Sequence, residues 1–189
     1  PRLPGAQREA EAVARCLETQ GLDGKVRALT SQNDAQTIIN ALYESRYRIV
    51  HVAGHGQEGA NGGVVLSGAN TFLGANEVRA MRTIPELVFL NCCHLGGRDA
   101  DTVLQRARDY DRVQFAAGIA RELIRVGVRC VIAAGWAVDD DEASTFATTF
   151  YDALMRRRLR FIDAVYEARR KAWEEGAAHD GNTWAAYQC

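Results

Sequence analysis

The chain has 189 residues, 47% of them hydrophobic, enough for the core of one ordinary domain. Its formal net charge is −1, so no global basic field draws it to nucleic acid or to an anionic membrane. The longest run of apolar residues and glycine, Cys130 to Val138, falls far short of the roughly 18 residues a membrane span needs.

No signal peptide is legible at the start. The five cysteines, Cys16, Cys92, Cys93, Cys130 and Cys189, are odd in number and their spacing is no disulfide framework. A reducing, cytoplasmic setting suits them. The chain opens at Pro1 without Met, so residues 1–189 read as a single domain excised from a longer multidomain protein.

In chain order, Gly5 to Gln20 reads as a helix, with Ala6, Ala10, Val13, Ala14 and Leu17 on one face and Gly21 and Gly24 at its end. Lys25 to Leu29 alternates polar and apolar and predicts a short strand. Ser31 followed by Asp34 resembles a capping box for the next helix, whose buried stripe is Ile38, Ile39 and Leu42. The β-branched run from Tyr47, YRIVHVAGHG, predicts a strand that breaks at small residues beside His55. This alternation argues for a βαβ unit and a parallel sheet, hence an α/β fold.

Gln57 to Gly63 reads as a polar surface loop, and Val64–Leu66 with Thr71–Leu73 as a small hairpin. A short helix over Asn76–Met81 stops at Pro85. A second apolar strand, ELVFLNCCHLGG from Glu86, delivers Cys93 at its break. The stretch from Gly97 to Val113 is charged and poor in apolar anchors. It predicts an exposed connection in which Arg98, Arg106, Arg108 and Arg112 are candidate points of self-cleavage, a passive solvated loop being the simpler reading.

Phe115, Ile119, Leu123 and Ile124 give a helix that Gly127 ends, and Arg129–Ala134 is a third buried strand, followed by Gly135-Trp136. Acidic residues 139–142 suit a helix start. One closing helix carries Phe146, Phe150, Leu154 and Met155, and the last carries Phe161, Ala164, Val165 and Ala168.

Neighbouring parallel strands leave their chemistry at one carboxyl edge, so His55 and Cys93 are a candidate base and nucleophile. His55 lies between Gly54 and Gly56, and the Gly56 and Cys93 N–H groups could form an oxyanion hole. His51 is a second candidate, though a histidine inside a strand is more often a buried one. Zinc is disfavoured. His51 and His55 would stand roughly 13 Å apart on a strand, and Cys92 and Cys93 would point to opposite faces. Cys16, Cys92 and Cys130 read as packed thiols. On these residues alone, the function is a Cys/His amide hydrolase or acyl transferase.

HVAGHG, FLNCCHLGG and GVRCVIAAGWAVDDDEA, with the EARRKAW stretch and Trp184, resemble the CHAT domains, caspase-like cysteine peptidases related to caspases, metacaspases and separase. The resemblance covers the chain from about Val26 onward. It implies a caspase-like, mainly parallel sheet with helices on both faces, and a cysteine endopeptidase with His55 and Cys93 as its catalytic residues. Cys92 stands where the family commonly has Ala, and His94 where it has Glu or another polar residue. Asn91 takes a place that lines the first specificity pocket in relatives, and Trp136, Asp139 and Asp140 are further candidates for substrate contact. An acidic pocket would favour Arg or Lys before the cut. The implied partners are a protein substrate and a regulatory repeat or sensing region in the same polypeptide, with no cofactor, metal, nucleic acid or membrane. The alternative is a non-catalytic caspase-like interaction module.

Overall fold

The computed structural model describes residues 3–22, 24–30, 34–57, 63–67, 71–94, 116–136, 138–177 and 181–189. They fall into two compact units, Pro1–Ser31 with Val138–Ala186, and Gln32–Ala137 with Tyr187–Cys189.

The second unit is built on a six-stranded sheet of order β3-β2-β1-β4-β5-β6. Its strands are β1 (Ile49–Gln57), β2 (Gly63–Ser67), β3 (Thr71–Leu73), β4 (Leu87–His94), β5 (Cys130–Ala134) and β6 (Tyr187–Gln188). β1, β4 and β5 pair in parallel at the centre. β2 and β3 on one side and β6 on the other are antiparallel. The fold is α/β with a caspase-like sheet, as the resemblance implies. The hairpin and the third strand stand where the sequence puts them.

Side chains alternate between the two faces of the sheet. Val50, Val88, Leu90, Cys92, Val131 and Ala133 share one cluster with Leu42 of helix α2 (Ala35–Glu44), Val78 of α3 (Ala75–Arg79), and Ala116, Ile119 and Leu123 of α4 (116–125). The opposite set, Leu87, Phe89, Asn91, Ile132 and Ala134, is buried as well. Central parallel strands thus read as continuous apolar runs. Gly127, at φ 110°, takes the left-handed turn after α4 that glycine adopts without strain.

The first unit is helical: α1 (Pro4–Leu17), α5 (Asp140–Tyr151), α6 (Phe161–Gly176) and α7 (Thr183–Ala186), with single π-helical turns over Glu18–Leu22 and Asp152–Arg156. Phe146, Phe150, Tyr151, Ala164 and Ala168 are fully buried there. Among the described residues no helix is long and apolar enough to cross a membrane.

Several expectations need correction. Lys25–Leu29 forms no strand. Val26 and Leu29 are only half-buried, and no ladder of the sheet includes them, so the alternation has no partner. The buried face of α1 is Gly5, Glu9, Val13 and Ala14, so it is rotated toward a charged residue that composition alone would place in solvent. Asp34 is itself the cap of α2, accepting the Thr37 N–H at 2.7 Å, rather than a box partner of Ser31. Ile124 is 58% exposed, one residue around the helix from the buried Leu123. Gln57 and Gly63, assigned to a loop, pair with each other across β1 and β2. The charged connection from Gly97 to Val113 lies outside the described residues.

Candidate active site

The site begins at the other end of its two strands. The Arg48 guanidinium grips the Glu86 carboxylate through two bonds, Nε–H to Oε1 at 2.9 Å and a second N–H to Oε2 at 3.0 Å. The Glu86 and Leu87 N–H groups both donate to the Arg48 carbonyl. Arg48 holds the Glu86 carboxyl below its ordinary value through that hydrogen bond.

The exposed ion pair is not what fixes the register, since such pairs contribute about 0–1 kcal/mol. A one-residue slip of β4 would bring the polar Asn91 side chain into the apolar cluster that Val88, Leu90 and Cys92 now fill. Burial therefore sets the register.

In that register His51 faces Phe89, Ala53 faces Asn91, and His55 faces Cys93. Parallel strands run about 4.8 Å apart, so the His55 and Cys93 backbones are immediate neighbours. Here too the sequence reading is corrected. The strands do not break at His55 and Cys93; both residues belong to the ladder. On the side away from β4, β2 pairs with β1 at Gly56 and Gln57, so β1 stays in the sheet past His55. Gly54 makes that approach possible, because a Cβ there would stand 3.2 Å from a Val64 methyl. The glycine before His55 thus has a packing reason of its own.

His55 is half-buried, and its Nε2 atom is sealed from solvent. The His51 ring lies 4.6 Å from the Phe89 ring, and Phe89 in turn meets Tyr187 edge-on at 5.7 Å. His51 is therefore an aromatic packing element, as a strand-interior histidine should be. Cys92 is 6% exposed and belongs to the apolar core, on the face opposite Asn91. Burial pushes the Cys16 and Cys130 thiols up, away from the thiolate form. Among the described residues, no three His, Cys, Asp or Glu side chains gather as metal ligands would.

The sequence model of the CHAT domain matches residues 1–189, the whole chain. The chain belongs to the CHAT domain family. The family is a caspase-like, cysteine-peptidase-related one, and the match spans both units. No curated protein matches this chain.

The remaining candidates of this CHAT domain divide. Asn91 is 6% exposed, two residues before Cys93 on β4. Trp136 follows β5 and is half-buried. Asp139 and Asp140 belong to the helical unit and hold structural posts there. The Asp139 carboxylate caps α5, accepting the N–H groups of Asp141 and Glu142 at 3.0 and 3.1 Å, and its own N–H donates to Thr183 Oγ at 3.0 Å. The Asp140 carboxylate sits against Gly5 in the first turn of α1 and pairs with Arg8 at 3.6 Å. A carboxylate at a helix amino end is favoured by the helix dipole. The reading of 139–142 as a helix start holds.

Sequence reasoning missed the buried acids of the helical unit, Glu9 and Glu142, at 2% and 3% exposure. Asp139 followed by Glu142 at the third position was the legible signal for one of them. Glu9 gave none.

Proposed function

We propose that this CHAT domain is a cysteine endopeptidase that cleaves a protein partner with a His55/Cys93 dyad. The observation that supports the reading is the pairing of His55 with Cys93 across the β1–β4 ladder in a chain of this family. In this reading the Cys93 thiol gives its proton to a ring nitrogen of His55. The thiolate attacks the scissile carbonyl carbon, a C–S bond forms, and the carbonyl oxygen takes the electron pair. The N–H groups of Gly56 and Cys93 hold that oxyanion. Collapse breaks the C–N bond, and the leaving amine takes the proton from His55. Water, deprotonated by His55, then splits the thioester to release the acid and restore the thiol.

No metal or cofactor enters this scheme. The reading also places the enzyme in the cytoplasm, as one domain of a longer polypeptide in which a sensing region switches it. Arg or Lys is the proposed residue before the cut, to be read from a peptide library. The test of the whole is labelling of the purified protein with iodoacetamide or a peptidyl acyl-ketone at or below neutral pH, mapped by mass spectrometry. Labelling confined to Cys93, and lost in His55→Ala, is the expected result. A folded protein that neither labels there nor cleaves any substrate is an interaction module instead.

A further inference from the structure

Helix α6 has a second apolar face beside the one it buries. Ala164, Val165, Ala168, Ala172 and Gly176 are buried within the helical unit. At about 100° per residue, the neighbouring sector of the helix holds Ile162, Tyr166, Arg169 and Trp173. Ile162, Tyr166 and Trp173 are each more than half exposed, and no other described helix exposes more than one large apolar side chain. Arg169, between them, is half-buried with its Nε sealed from solvent. Single exposed apolar residues are ordinary, but a row along one helix marks a contact surface. Steps of four, three and four residues are those of a seam that packs against one more helix. Lipid is a poor occupant. A helix that lies on an anionic bilayer is basic on its polar face, whereas here Asp163, Glu167, Glu174 and Glu175 outnumber Arg170 and Lys171.

The seam is symmetric about its own midpoint. With a second α6 laid antiparallel upon it, Ile162 lies opposite Trp173 of the other copy, and the two Tyr166 rings meet across the twofold axis. The rim matches as well. At a rise of about 1.5 Å per residue, Asp163 of one copy stands about 3 Å along the axis from Arg170 of the other, on the same side of the pair. A parallel pair would set that rim against the face α6 already buries. Within the chain Asp163 pairs with Arg160 at 2.7 Å, and Arg170 with Glu167 and Glu174 at 3.0 and 2.6 Å. Such exposed pairs are worth little, so the rim sets direction and the apolar row supplies affinity.

We propose that the exposed row of α6 is the contact surface for a second copy of this chain, in an antiparallel α6 pair. The proposal stands apart from the dyad reading. One helix pair is smaller than the ~1,600 Å² of a standard interface, so the association is weak.

Sedimentation equilibrium of the purified chain tests it, with reductant present because Cys189 is exposed. The average mass is expected to climb from one chain, 20.8 kDa, toward twice that between about 5 and 300 µM. Tyr166→Glu and Trp173→Glu are each expected to stay at one chain over that range. A parent that stays monomeric, or folded variants that dimerise as the parent does, overturns the proposal. An equal mixture of Ile162→Cys and Trp173→Cys proteins, oxidised after mixing and mapped by mass spectrometry, should link position 162 to position 173. A link from 162 to 162 means a parallel pair and overturns it. Should both Glu variants lose their fold by circular dichroism, Asp163→Arg decides. Set against Arg170 of the other copy, it is expected to weaken dimerisation about tenfold at low salt, and unchanged association overturns the proposal.

Discussion

The His51 ring packs at a tilt 4.6 Å from the Phe89 ring, four register positions before the pair of His55 and Cys93. The same strand therefore carries one histidine spent on packing and one at the candidate site. This division yields the first expectation. His51→Phe should keep the fold and most activity. Cys93→Ala and His55→Ala should each abolish cleavage with the fold intact. Cys92→Ala, on the core face, should keep most activity and cost roughly 1 kcal/mol in stability. Substrate cleavage beside a urea denaturation curve for each variant checks this. A dead Cys92→Ala beside an active Cys93→Ala would move the nucleophile by one residue.

Thiol selectivity gives the second. Burial raises the pKa of both Cys16 and Cys130, so each is more fully protonated than a free thiol at any pH below its own titration. Both should stay unlabelled by iodoacetamide at neutral pH, where a dyad cysteine reacts. Quantifying carbamidomethylated peptides across pH reads this directly. Labelling of Cys130 as early as Cys93 would contradict the burial seen here.

Much of this was legible beforehand, and for a physical reason. The runs around His55 and Cys93 are short, apolar and bounded by glycines, a pattern that suits strands buried on both faces. What stayed hidden was register. Nothing in YRIVHVAGHG or ELVFLNCCHLGG says that the ladder carries on through His55 and Cys93, because that depends on pairing between segments. The Lys25–Leu29 error has the same source: a strand is a property of two segments, and local alternation reports on one. The buried Glu9 escaped for the opposite reason, since α1 is read from its apolar residues and its inward face includes a charged one.

The capping role of Asp139 sets the third expectation. Asp139→Ala should destabilise the protein by about 1 kcal/mol, and Asp139→Asn by much less, since either side chain can accept the Asp141 and Glu142 N–H groups. Thermal melts of the two variants compare them. Equal losses would show that the charge near α5, rather than the cap, is what stabilises.

Fourth, Gly181 leaves no room for a side chain. A Cβ there would fall on the Glu142 carboxylate, and one at Gly176 would stand 3.0 Å from the same group. Gly181→Ala should cost roughly 2 kcal/mol, an overpacking penalty. Combined with Glu142→Ala it should cost markedly less than the two single losses added, because the colliding atoms are then gone. Strict additivity in chemical denaturation would show that backbone freedom, not the carboxylate, is the reason for glycine.

Fifth, Tyr151 is fully buried, and burial first, then Glu9, raises its phenol well above the usual value of 10.0. The folded state therefore keeps a proton that the unfolded chain releases near pH 10. Its contribution is complete below that pH and is lost as pH rises further, so the melting temperature should fall more steeply above about pH 10 in the parent than in Tyr151→Phe. Parallel slopes would contradict the burial.

β1 is laddered on both flanks through its last residues, to β4 at Gly56 and to β2 at Gly56 and Gln57. A strand end of that kind does not fray on its own, because opening one ladder leaves the other in place. The Cys93 backbone is held on the β1 side alone, since β5 pairs with β4 only as far as Leu90. Any separation of the two candidate backbones therefore starts from β4, and the amides around Cys93 should exchange with solvent before those around His55.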